Sequence, residues 1–353
     1  MSISPLPSFS ESRWTCGLDI SSKTFTARLL DWQGKPCGSV QDFTNNSSGF
    51  QSFEKWLKEN GVVTSVKRGV DGSPQQLLIV MEATGVYWEE CAIHLHGRGF
   101  RVNVVNPSQI KAFARTTLRR IKTDATDADL IARFAFSVPL PVWTPPDLDL
   151  ENLQLIMRQR AALVDMLTEE RNRLHAYNRR PQVPSSVIKT TREHIAFLES
   201  KIDEMEDSFK DDLKKSPQWQ KSFELLTSIP GIGEVTAAVL LTETGAFGSF
   251  LQSRQLTAYA GIAPAKFSSG TSVNRKAQIS KIGNSRLRRI VYIAAWSAGQ
   301  SNTFLGDFYR RLIARGKPGK VATVALARKL LVLAMAVVKS GIPFDKSYGL
   351  APA

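Results

Sequence analysis

Three short runs of β-type residues open the chain, over 14–20, 25–32 and 37–43, with turn residues at Ser21, Ser22 and Gly34 between them. Their closeness predicts antiparallel hairpins. Residues 48–60 then place Phe50, Phe53 and Trp56 on one helical face. After an exposed loop over 62–73, residues 75–84 (QQLLIVMEAT) have a nearly continuous apolar centre, which predicts a strand buried on both faces. A helix to about His96, a strand over 101–106 and helices beyond Pro107 follow.

Three antiparallel strands, then strand, helix, strand and helix, is the order of a ribonuclease-H-like α/β fold; such a fold positions a site without saying what the site does. Residues 148–178 are helical in pattern, the segment 181–184 interrupts them, and the helical pattern resumes to about Leu213. Along the second helix Ile195, Leu198, Ile202, Met205 and Phe209 alternate three- and four-residue spacing, a heptad seam. Two helices joined at a proline turn predict a coiled-coil hairpin, and the same spacing also allows an ordinary bundle layer. Beyond Trp219 the pattern is a compact helical domain with glycine-rich connections.

Charge narrows the choice of partner. The 353 residues include 46 Lys and Arg against 32 Asp and Glu, a net +14, and an excess of that size points to a polyanion, most commonly nucleic acid. It is also uneven. No acid lies between Glu90 and Asp124, and Asp307 is the one acid between Glu243 and Asp345. Acids concentrate instead between Glu193 and Asp212, so two basic stretches flank an acidic arm. A basic membrane-surface protein fits less well, because no Lys-rich amphipathic terminus or lipidation signal is present. The start, MSISPLPSFSESRW, lacks the basic and apolar segments of a secretory signal, and the apolar run 330–338 is too short to span a bilayer. Cys16, Cys37 and Cys91 have no metal-ligand spacing, and their odd number argues against a disulfide framework. The expected location is the bacterial cytoplasm or nucleoid, without a membrane partner.

Four carboxylates stand where chemistry could use them. Asp19 ends the first predicted strand (GLDISSKT) and Glu82 ends the central buried one (VMEATG). Asp124 and Asp127 begin a helix in KTDATDADLIA, where i and i+3 share a face. Converging on one point, they would repel unless a divalent cation neutralised them; hard oxygen ligands select Mg2+ or Mn2+, which serve phosphoryl transfer. Each also has a structural reading. Asp19 could close a hairpin, Glu82 could cap the next helix, and Asp124 with Asp127 could be an N-cap and a first-turn acid. Lys111, Arg115, Arg119, Arg120 and Lys122, just before the helix, would hold phosphates beside such a site.

In the C-terminal half, Gly231 and Gly233 in SIPGIGEVTAAVLL free backbone N–H groups at a helix start, as in a helix-hairpin-helix phosphate contact or a plain tight turn. Residues 263–284 read as a mobile Gly/Ser/Lys loop, and a helix follows from about Ser285. Arg286, Arg288 and Arg289 occupy its first turn, where the dipole disfavours cations; an external anion would explain them, as would screening by solvent. With them Lys281 is a candidate nucleic-acid contact. Composition alone does not choose among Ser268, Ser269 and Ser272 as a nucleophile.

In order, GLDISSKT, VMEATGVYW, VVNPSQIKAFA, KTDATDADLIA, SIPGIGEVTAAVLL, AYAGIAPAKFSSGTS, ISKIGNSRLRR and KSGIPFD resemble the motifs of the DEDD transposases of insertion-sequence family one-hundred-and-ten, from about Trp14 to Asp345. The pilin-gene invertases are a related branch. The resemblance implies a RuvC-like domain over 1–145, a coiled-coil connector over 146–216 and a helical transposase domain over 217–353. It implies that Asp19, Glu82, Asp124 and Asp127 form the acidic, metal-binding tetrad and that Ser269, before Gly270, is the nucleophile, with Ser268 adjoining it. It further implies a phosphoserine intermediate, Mg2+, donor and target DNA, a noncoding bridge RNA, and a homo-oligomer, a tetramer, in which tetrad and serine can come from different subunits. The stretch 62–74 has no counterpart in the family pattern and reads as a surface insertion.

Overall fold

The computed structural model of the chain describes residues 13–62, 76–116, 123–265, 268–269, 273–274 and 278–345. They fall into two compact units, divided between Pro145 and Pro146.

The first unit has strands β1 (Arg13–Ile20), β2 (Thr24–Leu30) and β3 (Pro36–Thr44), then helix α1 (Ser47–Glu59) and strand β4 (Gln76–Glu82). Helix α2 (Glu89–Gly97), strand β5 (Arg101–Val105) and helices α3 (Pro107–Thr116) and α4 (Asp124–Ser137) complete it. The sheet order is β3-β2-β1-β4-β5, with β1–β2 and β2–β3 antiparallel and β1–β4 and β4–β5 parallel. This is the RuvC-like, ribonuclease-H-like architecture that the order of runs predicts. The second strand stops two residues short of expectation because Asp31 accepts the N–H groups of Gln33 and Lys35 and closes a turn there.

Strand periodicity divides the core into two layers. Cys16, Leu18 and Ile20 of β1 and Leu77, Ile79 and Met81 of β4 face α1 and α2, packing on Phe50, Phe53, Leu57 and Leu95. The alternate residues Leu78 and Val80 of β4 face the other way, onto Ile110 of α3 and Leu130, Ile131 and Phe134 of α4. Burial pushes the thiols of Cys16 and Cys91 upward, that of Cys91 to about 12, so both remain protonated fillers of the first layer.

Glu54 of α1 is buried between the two helices of that layer. Burial alone pushes its carboxyl up, but hydrogen bonds from Arg98 (3.0 Å) and His94 (2.9 Å), with the charges behind them, outweigh this and hold it below the ordinary carboxylate range. A depressed folded-state pKa contributes stability that is complete at neutral pH and is lost as pH falls through that lowered value. Melting curves between neutral and strongly acid pH are therefore expected to fall less steeply for Glu54→Gln than for the wild type.

The second unit is helical. Helices α5 (Leu148–Tyr177) and α6 (Ser185–Lys215) form a hairpin; α7 (Pro217–Thr227), α8 (Glu234–Thr244) and α9 (Ser253–Tyr259) follow. Two short pairings come next, β6 (Pro264–Ala265) with β9 (Gln278–Ile279) and, inside them, β7 (Ser268–Ser269) with β8 (Val273–Asn274). Helices α10 (Ser285–Gly299), α11 (Phe304–Ala314) and α12 (Gly319–Ser340) close the unit. The seam of α6 is as the heptad predicts: Leu198 and Ile202 are buried against Leu167, flanked by Leu163 and Val164, and Arg160–Glu206 and Arg171–Glu199 pair at 2.7 Å. Where a structureless loop is expected over 263–284, the described residues form a two-tier hairpin instead.

The apolar run at 330–338 belongs to a longer helix than its own length suggests. Within the 22 residues of α12 an 18-residue window is apolar enough to cross a membrane, yet half of that window is buried inside the unit. Leu326, Leu330, Leu331 and Ala334 pack in the same core as Leu226 of α7, Leu256 of α9 and Val291 of α10. It is a core helix.

Candidate active site

Asp19 and Glu82 occupy matching positions on adjacent parallel strands. Leu18 pairs with Met81, so the next step of the register sets Asp19 beside Glu82. By alternation both belong to the face that packs on α4. The same face has Gly17, and there α4 comes close enough that a side-chain carbon on Gly17 would overlap the Ala128 carbonyl and the Ala132 amide. Thr15, two residues earlier, donates its hydroxyl to the Ala132 carbonyl (3.4 Å). Contact thus moves backward along α4 as β1 moves forward. Two more strand residues, about 6.6 Å, lead to Asp19, and one more helical turn, about 5.4 Å, leads back to Asp124 and Asp127. Register and helix packing thus set the backbone of all four acids toward one end of the sheet.

Other residues close the β1–β2 turn and cap α4, while Asp124 and Asp127 do lie in the first turn of α4, where the helix dipole favours acids. The β1–β2 turn is closed by Ser21, whose N–H and hydroxyl both reach the Thr24 carbonyl. The N-cap of α4 is Thr123, in a reciprocal capping box with Thr126, and Asp124 is the first helical residue. The N-cap of α2 is Trp88, with no side-chain cap bond, and Glu82 accepts instead from the Thr84 hydroxyl (3.0 Å). Asp129, the third acid of DATDAD, is committed to Arg133 (2.9 Å) and Arg28 (3.8 Å).

The donor chemistry fits a hard divalent cation, and so does the backbone convergence. The side chains are not gathered: among the described residues, no three Asp, Glu, His or Cys side chains stand together as a ready ligand set. Lys111 and Arg115 are exposed on α3, which packs beside α4 through Ile110 and Phe113. Arg119, Arg120 and Lys122 lie outside the described residues.

In the second unit, the strand β7 includes Ser269, paired through the backbone with Val273; Gly270 and Ser272 lie outside the described residues. The root of this hairpin is laced shut. Ser280 N–H donates to Ala263, Lys281 N–H to Gly261 and Asn284 N–H to Tyr259. Arg288, expected to meet an external phosphate, turns its guanidinium onto the carbonyls of Ala260 (3.2 Å) and Lys281 (3.1 Å). Arg289 pairs with Asp165 of α5 at 2.7 Å, whereas Arg286 is exposed. Lys281 is exposed and adopts φ 56°, the left-handed region, at the bend of the root.

A buried network under this root escaped the sequence reading. Glu243, at the end of α8, accepts from Asn284 Nδ2 (2.6 Å) and from Arg158 Nε (3.3 Å), and its backbone carbonyl accepts from the Tyr259 hydroxyl (3.2 Å). Asn284 also caps α10 by accepting the Leu287 N–H (2.9 Å). Glu243 closes an apolar run (AAVLLTE) as Glu82 does, so the signal that singled out Glu82 was available for it as well. Asn284→Ala removes the cap and leaves Glu243 short of a donor; thermal melting is expected to show a loss of about 1–2 kcal/mol.

Gly231 has φ 89°, and a side chain there would strike Ala298 of α10, so packing alone requires glycine. At Gly233, the N-cap of α8, a side chain would meet nothing within 4 Å. Both line an open cavity of about 620 Å³ with Phe304, Asp307 and Phe344.

Comparison with known proteins decides what this arrangement belongs to. Residues 16–177 match the family model of the IS110 DEDD type, described as a transposase, and residues 223–310 match the model described as the transposase IS116/IS110/IS902 family. Over 341 residues, 95% of this chain and 98% of the relative, it is 31% identical to the pilin gene-inverting protein of Moraxella bovis. The chain belongs to the IS110 family of DEDD transposases. This transposase is equally similar, at 31% and the same coverage, to the pilin gene-inverting protein of Moraxella lacunata. It is 26% identical to the transposase for insertion sequence element IS1328 of Yersinia enterocolitica, over 72% of this chain and 82% of that one. The transposase is therefore an enzyme of DNA strand cleavage and transfer, with DNA as its substrate and, as a DEDD protein, metal-dependent chemistry.

Proposed function

We propose that the transposase performs site-specific strand exchange with Ser269 as nucleophile and the tetrad as a Mg2+ site, for which Mn2+ can substitute. The Ser269 hydroxyl loses its proton and its oxygen attacks a DNA phosphorus; the bond to one deoxyribose oxygen breaks and leaves a phosphoserine. A deoxyribose hydroxyl of the other partner then attacks the same phosphorus, rejoins the DNA and frees the serine. The number of phosphate ester bonds is conserved, so no external energy source is required. A metal held there would supply charge stabilisation at the phosphate and activation of the oxygens around it. Asp19, Glu82, Asp124 and Asp127 would hold it after turning their carboxylates toward one another.

Support for the tetrad comes from the strand register and helix packing, which set the backbone of all four acids toward one end of the sheet, with Ser21 closing the β1–β2 turn and Thr123 capping α4. For the overall outcome, the near full-length similarity to pilin gene-inverting proteins favours inversion between two DNA sites; transposition of an insertion sequence uses the same chemistry. A noncoding bridge RNA pairing with donor and target DNA, and a tetrameric assembly, complete the proposal; the net charge of +14 suits a polyanionic guide as well as DNA. The domain limits 1–145, 146–216 and 217–353 belong to it as well.

A reporter plasmid with the native flanking DNA in place tests the reading. Wild type is expected to invert or move the segment, Ser269→Ala and Asp124→Asn to do neither, and deletion of the flanking noncoding region to abolish site choice. A metal-dependent junction nuclease is the alternative, under which Ser269→Ala would still cut the plasmid.

A further inference from the structure

The turn after Glu82 ends in two apolar side chains that the fold presents to solvent. Val86 is 64% and Tyr87 50% exposed, while the next residue, Trp88, packs edge-on against Trp143 with ring centres 5.8 Å apart. The turn is tied down along its length. The Thr84 N–H donates to the Glu82 carbonyl (2.8 Å), the Trp88 indole to the Gly85 carbonyl (3.1 Å) and the Glu89 N–H to the Val86 carbonyl (3.2 Å). Gly85 takes φ 63°, which permits the reversal, and the Tyr87 ring lies beside it.

One side chain joins this turn to the other carboxylate-bearing strand. The Asn45 amide nitrogen donates to the Tyr87 carbonyl and to the Ser21 carbonyl, each at 2.9 Å. Ser21 is two residues beyond Asp19, and Tyr87 five beyond Glu82. The backbone of Tyr87 is thereby tied to the ends of both carboxylate-bearing strands, and its ring stays half exposed. Ring burial on a partner would cost little further backbone entropy.

We infer that Tyr87, beside the exposed Val86 in the chain, receives an unstacked nucleobase of the substrate DNA next to the phosphate held at the carboxylates. The inference rests on the reading of Asp19 and Glu82 as metal ligands. A phosphate held at that site carries its own nucleoside, so a base lies within one nucleotide of the carboxylates. An aromatic face stacks on any base, so the contact is tolerant of sequence and would hold the strand in place while base pairing elsewhere selects it. Two side chains are too small a surface for a stable protein partner.

The test uses the full-length protein and duplexes spanning the junctions that flank its gene, with one abasic nucleotide stepped through each position. On intact DNA, Tyr87→Ala is expected to lower cleavage at limiting protein about ten- to a hundredfold. Tyr87→Phe is expected to stay near wild type, and Tyr87→Ala to melt as the wild type does. At one position beside the cleaved phosphate, loss of the base should bring wild type down to the Tyr87→Ala level and cost the variant nothing more. Wild-type cleavage of intact DNA by Tyr87→Ala, or equal losses in both proteins at every abasic position, would overturn the inference. Asp19→Asn, run alongside, separates the two levels. If it cuts normally, the reading of the carboxylates fails and the inference with it; if it is inactive while Tyr87→Ala is unimpaired, only the inference fails.

Discussion

Asp19→Asn and Glu82→Gln are each expected to lower metal-dependent DNA cleavage by about a thousandfold or more. Both substitutions preserve size and remove one charged oxygen donor from a set of four. Neither should unfold the protein, since each amide keeps the shape of the acid it replaces and can still accept a hydrogen bond. Melting in Mg2+ separates lost chemistry from lost structure. An ion that binds only the folded protein raises its stability by mass action, so Mg2+ should raise the wild-type melting temperature and leave the variants unmoved. Cleavage time courses in Mg2+ and Mn2+, with those melting curves, are the measurement. Full activity in both variants would remove the tetrad from the mechanism.

Gly17→Val is expected to be strongly damaging to the first unit, at about 3 kcal/mol or more. Its neighbour is the backbone of α4, at Ala128 and Ala132, which cannot rotate aside as a side chain can. The helix must move as a body, and Asp124 and Asp127 move with it, away from Asp19. Denaturant unfolding should show the stability loss. Cleavage should be lost as well, even at temperatures where the variant remains folded. A variant that is destabilised yet fully active would show that the spacing of α4 from β1 does not set the site.

The first unit was legible because its signals are local and agree with one another. Period-two runs point to β1 to β3, an apolar centre to β4, and the acids Asp124 and Asp127 to the start of α4, although the cap itself is Thr123. Asp19 and Glu82 could be named as strand-end acids, but not separated from hairpin and cap roles. That choice depends on what Ser21, Thr123 and Trp88 do, which is hydrogen bonding visible only in three dimensions. The closeness of α4 to Gly17 was equally hidden, since a glycine inside a strand has several possible causes.

The second unit was harder for physical reasons. Residues 263–284 are rich in Gly, Ser and Lys, yet two two-residue pairings and a laced root give order there with little side-chain signal. Arg286, Arg288 and Arg289 look alike in the sequence. Helical rotation sends Arg288 inward to backbone carbonyls and Arg289 to Asp165, so a cluster of cations in one turn need not share a partner. The run at 330–338 understated α12, because the exposed Arg328 and Lys329 interrupt the apolar sequence while Ala322, Leu326 and Ala327 extend the buried face before them.

The most direct measurement is the identity of the atom joined to DNA during the reaction. The full-length protein, made together with its native flanking DNA, is incubated with that DNA and Mg2+, denatured and digested with trypsin. Mass spectrometry then examines the peptide 267–275, which has Ser268, Ser269 and Ser272. A nucleotide phosphate on Ser269, absent from both Ser269→Ala and Asp19→Asn, is the predicted result. Cut DNA with no nucleotide on the protein, formed equally well by Ser269→Ala, would contradict the account and leave a hydrolytic nuclease in its place.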